Sequence, residues 1–383
     1  MTKKKVRILC LDGGGIRGIV PATVMQYVEE RLIALSGNRN ARIADYFDMV
    51  VGTSTGAILG CFYLMPHAQK GAANTPNARY EATEALRLYA EKGGEIFDDA
   101  KKHSWGGLRQ LFNATRFSPK NIERIFNEAF GDTFFDALLK PCIVTTYDLH
   151  SQNSFFFNSH ESAKRQSERK FLVRDVARST AAAPTYFPPA LIKNHGSDGN
   201  EMVNIDGGVF ANNPAMCAYA EARKTNFERL NINNPTAEDM LILSIGTGSQ
   251  KLDFGNYKKS GSWGVINWAK TIPDIMMDGG LGTVDYQTNL IFDTLSPENK
   301  TNYKRVDVPK RLRGLDDNNN TPLYKSDMSD ASAENIRNLK IAGQEAIKEA
   351  NLAERNKLSL DAFIQQLYDI DVLLQAEVAG DFA

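Results

Sequence analysis

The sequence predicts an α/β protein built on a mostly parallel central sheet. Three observations carry this. Short apolar runs recur at Val6–Leu11, 47–51, 202–205 and Met240–Ile245; each stops at a glycine-bearing turn; and segments with helical spacing of apolar residues separate them.

Val6–Leu11, rich in Val, Ile and Leu, reads as a buried parallel strand that runs into Asp12-Gly13-Gly14-Gly15. Pro21 fits the opening of a helix whose apolar face is Val24, Val28, Leu32 and Leu35, and Gly37 closes it. Residues 47–51 form a second strand that enters Gly52-Thr53-Ser54-Thr55-Gly56, and a helical pattern over 57–64 follows at once. Strand, helix and strand in this order make a right-handed crossover, so the two glycine loops lie on the same edge of the sheet. Residues 66–77 read as an exposed loop and 80–130 as mainly helical. Strands resume at 142–147 and 154–157, a helix starts at Val173, and later strands end at Asp206-Gly207-Gly208 and Gly246-Thr247-Gly248. Near the C-terminus Ile336, Leu339, Ala346, Ile347 and Ala350 are spaced as a helix.

Within 263–277, Trp268, Ile272, Ile275 and Met276 form a helical stripe. The reading adopted is a core helix, with a helix lying in a membrane interface as the alternative. Without a repeat or a linker, one domain over 1–383 is expected. Its catalytic core spans about 6–250, and a C-terminal helical extension over about 255–383 packs on that core.

Composition narrows the function. A hydrophobic share of 42%, a charged share of 24% and a net charge of −1 describe an ordinary soluble chain with no basic stripe for a nucleic acid polymer. Cys10, Cys61, Cys142 and Cys217 are widely spaced, which favours reduced structural thiols over a disulfide framework or a zinc site. The apolar stretch after Lys3-Lys4-Lys5 is too short for a signal peptide, and no stretch suffices to span a bilayer. A cytoplasmic protein that at most docks on a membrane is expected, with no metal and no cofactor.

Gly52-Thr53-Ser54-Thr55-Gly56 fits G-x-S-x-G, the turn that exposes a nucleophilic serine between a strand and a helix. The loop Asp12 to Gly18 also contains a literal G-x-G-x-x-G, but the next strand ends in Gly-Thr-Ser and offers no acidic residue for a ribose. An oxyanion hole made by the amides of Gly13, Gly14 and Gly15 is the better reading, and a nicotinamide oxidoreductase ranks far behind. Arg17 is read as holding that loop or meeting a lipid phosphate, with a surface salt bridge equally open.

A G-x-S-x-G serine ordinarily needs an acid and then a histidine later in the chain. The five histidines, His67, His103, His150, His160 and His195, all precede Asp206-Gly207-Gly208 and lie mostly in polar stretches. Asp206, at a strand end that shares the glycine edge, is left as the candidate base, and that role requires partial desolvation to raise its pKa.

These blocks, with Pro21-Ala22-Thr23, Asp45-Tyr46-Phe47-Asp48, 179–189, 244–248 and 263–268, resemble those of patatin-like phospholipases in the same order. The resemblance implies a three-layer α/β/α sandwich and a Ser54–Asp206 dyad, with Gly13 to Gly15 as oxyanion hole and Arg17, Gly18, Gly52, Gly56, Gly207 and Gly208 in support. It also implies acyl-ester hydrolysis on phospholipids and galactolipids at a membrane surface, without a metal. A gated effector, switched on by a small activator such as a cyclic nucleotide, is the alternative that the resemblance permits.

Overall fold

β1 (Val6–Leu11) and β9 (Met240–Ile245) are buried at every position, because helices cover both faces of the central strands. The computed structural model describes residues 3–67, 77–97, 115–164, 168–249, 264–314, 321–352 and 358–380. After β1 come α1 (Ile19–Ser36), α2 (Ile43–Tyr46), β2 (Met49–Gly52), α3 (Thr55–Leu64), α4 (Ala82–Ile96) and α5 (Pro119–Phe130). Then follow β3 (Cys142–Asp148), β4 (Asn153–Asn158), α6 (Ser159–Lys164), α7 (Val173–Thr180), β5 (Ala190–Lys193) and β6 (Glu201–Asp206). The short α8 (Gly208–Ala211), α9 (Ala215–Lys224) and the two-residue strands β7 (Asn226–Phe227) and β8 (Ile232–Asn233) lead to β9. The chain ends with α10 (Val265–Asp293), β10 (Tyr303–Val306), α11 (Ala333–Asn351) and α12 (Leu360–Ala379).

The expected mostly parallel sheet is present. β10, β9, β1, β2 and β3 lie side by side and parallel, while β4, β5 and β6 are antiparallel to their neighbours. At the start of β1, Arg7 is fully buried and forks onto Asp48 with two bonds of 2.9 Å, while its other nitrogen lies 3.4 Å from Asp371 on α12. That network ties the sheet to the C-terminal helix. The apolar core runs without a break from Val6 to Leu374.

Boundaries and additions depart from the sequence reading in physical ways. α1 starts at Ile19, because a turn of 3-10 helix over Gly15–Gly18 leads directly into it and Pro21 still falls in the first helical turn, where no amide is required. Gly37 caps it at φ 64° as expected. The segment past 255 is not only helical, since β10 adds to the sheet beside β9. Parts of the 66–77 loop and of the 80–130 region lie outside the described residues. The core reading of the 263–277 stripe is overturned: Trp268, Ile272, Ile275 and Met276 are exposed. Periodicity shows that a helix has an apolar stripe but not which side packs, and α10 carries a second apolar line, Met277, Val284 and Ile291, that turns inward.

One junction positions the site. β4 pairs along one edge of β3, so β2 and β6 must share the other, β2 at Cys142 to Val144 and β6 at Thr146 to Asp148. Gly207, just past β6, passes so close to β3 that a methyl there would sit 2.2 Å from Thr145 Oγ1 and 2.6 Å from its carbonyl carbon. Gly207→Ala should therefore lower the unfolding free energy by about 2–3 kcal/mol in urea melts. Gly94→Ala, inside α4 with open space around it, should instead stabilise by about 0.5–1 kcal/mol.

Candidate active site

Ser54 sits between β2 and α3 at φ 51° and ψ −125°, a left-handed conformation that non-glycine residues adopt at a cost of roughly 1–3 kcal/mol. The flanking glycines permit the turn: a methyl on Gly52 would lie 2.4 Å from the Ala57 backbone, and one on Gly56 would lie 2.2 Å from the Leu11 carbonyl oxygen. The Ser54 amide donates to Thr180 Oγ1 at 2.8 Å, so a residue of α7 fixes the turn. The nucleophile candidate is at the N-terminal end of α3, where the helix dipole favours negative charge.

Asp206, only 4% exposed, lies at the end of β6 and faces this turn. Its Oδ1 accepts the Gly208 amide at 2.7 Å. Burial pushes its carboxyl up to about 6, against hydrogen bonds from the Ser54 side chain and the Gly208 amide that pull it down. Gly208 keeps that approach open, since a methyl there would be 3.2 Å from Oδ1.

The loop after β1 closes the site from the other side. Gly13 is not a free donor, because its amide is bonded to the Asn212 carbonyl at 3.0 Å, while its own carbonyl accepts Thr247 Oγ1 at 2.7 Å. The Gly14 and Gly15 amides meet no acceptor among the described residues, and both glycines line the same cavity as Ser54 and Asp206. Neither position tolerates a side chain: a methyl on Gly14 would lie 2.4 Å from Thr247 Oγ1, and Gly15, at φ +58°, would place one 2.4 Å from the Met328 carbonyl oxygen. A methyl on Gly18 would lie 2.1 Å from Thr55 Oγ1, so the two loops pack on each other.

Arg17 is buried, with 8% exposure, and does not line the cavity; among the described residues it makes no ion pair. A surface salt bridge is therefore not its role. His67, His150, His160 and His195 also lie outside the cavity lining, and His103 falls outside the described residues. Beyond Ser54 the cavity is apolar, walled by Ile58, Phe97, Ile122, Phe126, Phe187 and Met277, which suits an acyl chain. No group of His, Cys, Asp or Glu among the described residues is arranged to hold a metal ion, and no described helix is long and apolar enough to cross a membrane.

Sequence reasoning missed several supports. Thr180 and Thr247 lie inside blocks already singled out, and Asn212 sits just past the Gly207-Gly208 turn, so these had a signal. Arg305 had none. It reaches from β10 to fork onto both oxygens of Asp12, at 3.0 Å to Oδ1, and donates to Ser244 Oγ at 2.8 Å. Burial lifts the Asp12 carboxyl to about 6, while the Arg305 charge and hydrogen bonds pull it down.

With this geometry in place, comparisons with known proteins can be read. A family model described as patatin-like phospholipase matches residues 9–219. Patatin-like protein 3 of Arabidopsis thaliana is 33% identical over 322 residues, covering 79% of this chain and 73% of that protein. Patatin-like protein 2 of Oryza sativa subsp. indica is 30% identical over 360 residues, covering 89% and 83%. Patatin group J-1 of Solanum tuberosum is 29% identical over 354 residues, covering 90% and 84%. The family match contains Ser54, Asp206 and both glycine loops, whereas Thr247, Arg305 and Met328 lie beyond its end.

The Asp12–Arg305 pair is therefore a test of the loop's support. Arg305→Met alone should cost about 3–5 kcal/mol, because it leaves a buried carboxylate uncompensated, and Asp12→Asn added to it should recover much of that loss. Denaturant melts measure the recovery. Turnover of the double variant should stay well below wild type, since neither side chain then holds the loop.

Proposed function

The chain belongs to the patatin-like phospholipase family, and from that premise we propose that it is a serine lipid acyl hydrolase working through Ser54 and Asp206. Family membership supplies lipid acyl hydrolysis in general terms. The finer reading is supported by one observation: a buried carboxyl, raised by burial to about 6, lines the same apolar cavity as a serine held on a strained turn.

In this mechanism Asp206 accepts the Ser54 proton as Oγ attacks the ester carbonyl, and the amides of Gly14 and Gly15 receive the oxyanion. The C–O bond to the alcohol then breaks, Asp206 returns its proton to the leaving lysolipid oxygen, and an acyl-serine remains. Water gives a proton to Asp206 and attacks the acyl carbon; the proton passes back to Ser54 as the fatty acid leaves. A base at about 6 is mostly ionised at neutral pH yet still basic enough to share a proton with a reacting serine. The remaining fine points of the reading are an enzyme of the phospholipase A type, with phospholipids or galactolipids as substrates and no metal in the reaction.

A fluorophosphonate probe should label Ser54, with labelling absent in Ser54→Ala; labelling that survives in that variant would refute the assignment. The rate kcat/KM should rise with pH through about 6 and level above it, because only the ionised carboxylate accepts the proton. Asp206→Asn should lose on the order of 10³-fold in kcat, while single replacements of the histidines leave most of it. Stability carries an independent sign. Folding raises this carboxyl from 3.8 to about 6, so the stability it contributes is full below pH 4 and is lost as pH rises through 6. Asp206→Asn should therefore melt a few degrees higher than wild type at pH 7, with the gap closing towards pH 4 in calorimetry.

A further inference from the structure

α10 is apolar on two opposite sides. Its inner line closes the catalytic cavity: Met277 lines that cavity, with its sulfur 3.4 Å from where a methyl on Gly208 would sit, and Phe292 is buried in the core. The outer side carries Trp268 (42% exposed), Ile272 (43%), Met276 (50%), Tyr286 (68%) and Leu290 (51%), joined by Ile275. At roughly 100° per residue these six fall within an arc of about 100°, centred opposite Met277, and they extend for about 33 Å. Helices of soluble proteins leave single apolar residues exposed, but six large apolar side chains on one face of one helix, four near its start and two near its end, mark an interaction surface.

We propose that this outer face of α10 seats on a lipid surface of low net charge and so brings the catalytic cavity to its substrate. The proposal rests on the lipid acyl hydrolase reading for the substrate, and two observations select lipid over a second copy of the chain. Trp268 and Tyr286 lie about five turns apart on one line of the helix, which suits amphipathic rings set at the headgroup level at two points along an interfacial helix. Asp278 and Asp285 run along one flank and Asp293 ends the stripe, and the helix sequence holds four aspartates against the single Lys270. Two copies of this helix would oppose like charges, and an anionic bilayer would be repelled; a zwitterionic one matches.

The test uses the full chain with Ser54→Ala, so that lipid is not consumed, in flotation with phosphatidylcholine vesicles with or without phosphatidylglycerol. Binding to phosphatidylcholine alone is expected, no stronger with phosphatidylglycerol and insensitive to added salt. Ile272→Asp with Ile275→Asp should weaken it about tenfold or more. In the enzyme with Ser54 intact the same pair should leave hydrolysis of a short water-soluble ester within about twofold of wild type while cutting vesicle hydrolysis in parallel with binding. Vesicle binding unchanged by the pair would overturn the proposal, as would binding that requires phosphatidylglycerol. Light scattering that shows the pair converting a dimer to monomers would assign the stripe to a second copy instead. If wild type binds vesicles through the stripe but cleaves no ester, the hydrolase reading fails and the docking surface stands.

Discussion

The edge that carries the proposed active site depends on one point in the sheet, where β2 stops and β6 takes over its place along β3. Because β4 occupies the whole opposite edge of β3, the end of β2 and the end of β6 are forced against each other. The chain leaving β2 must turn sharply there, which places Ser54 at positive φ, and the chain leaving β6 must pass through Gly207 with no room for a side chain. Thr53 and Thr145 lock the junction with a 2.7 Å hydroxyl contact, and Thr53 also reaches the Ala211 carbonyl at 2.6 Å. Strain at the serine is thus held by hydrogen bonds and close packing from three strands and a helix, which is the condition under which such a conformation persists.

That junction also sets the electrostatics. Two buried aspartates, Asp12 and Asp206, are both pushed up to about 6 by loss of water, yet their surroundings give them different chemistry. Asp12 is gripped by a guanidinium on both oxygens, which fixes its charge and its position. Asp206 has no cation among the influences on it, only the Ser54 side chain and the Gly208 amide, so a proton on it meets no cation that would expel it. On the proposed mechanism a structural carboxylate and a proton acceptor are told apart by their partners, not by their burial.

Much of this was legible beforehand. The strands Val6–Leu11 and Met240–Ile245 are apolar runs bounded by glycine turns, and the shared edge of the two glycine loops follows from the handedness of a strand–helix–strand crossover. Glycines at 13 to 15, 52, 56 and 207 are legible for the same reason, because close backbone approach leaves few alternatives. What the sequence hid is what depends on register across distant segments. The Gly13 amide donates to the Asn212 carbonyl, some two hundred residues away, and no local pattern distinguishes it from the amides of Gly14 and Gly15, which meet no acceptor among the described residues. Arg305 is one arginine among many until β10 is seen to lie beside β9. The side on which α10 packs was equally hidden, since both of its faces are apolar.

The supports of the proposed oxyanion loop come from late in the chain. Asn212 and Thr247 hold Gly13, Arg305 holds Asp12, and the Met328 carbonyl accepts the Ile16 amide at 2.8 Å. Only the first of these lies within the span matched by the family model. An amide stabilises a developing oxyanion well only if it already points at it, because turning it during the reaction would consume the energy gained. A run of glycines cannot fix its own orientation, since glycine has the widest conformational freedom of any residue. The rigidity must therefore be imported, and here it comes mostly from β9, β10 and the turn around Met328. The C-terminal third is then not a separate appendage; the fold's last strand helps to fix the loop that follows its first.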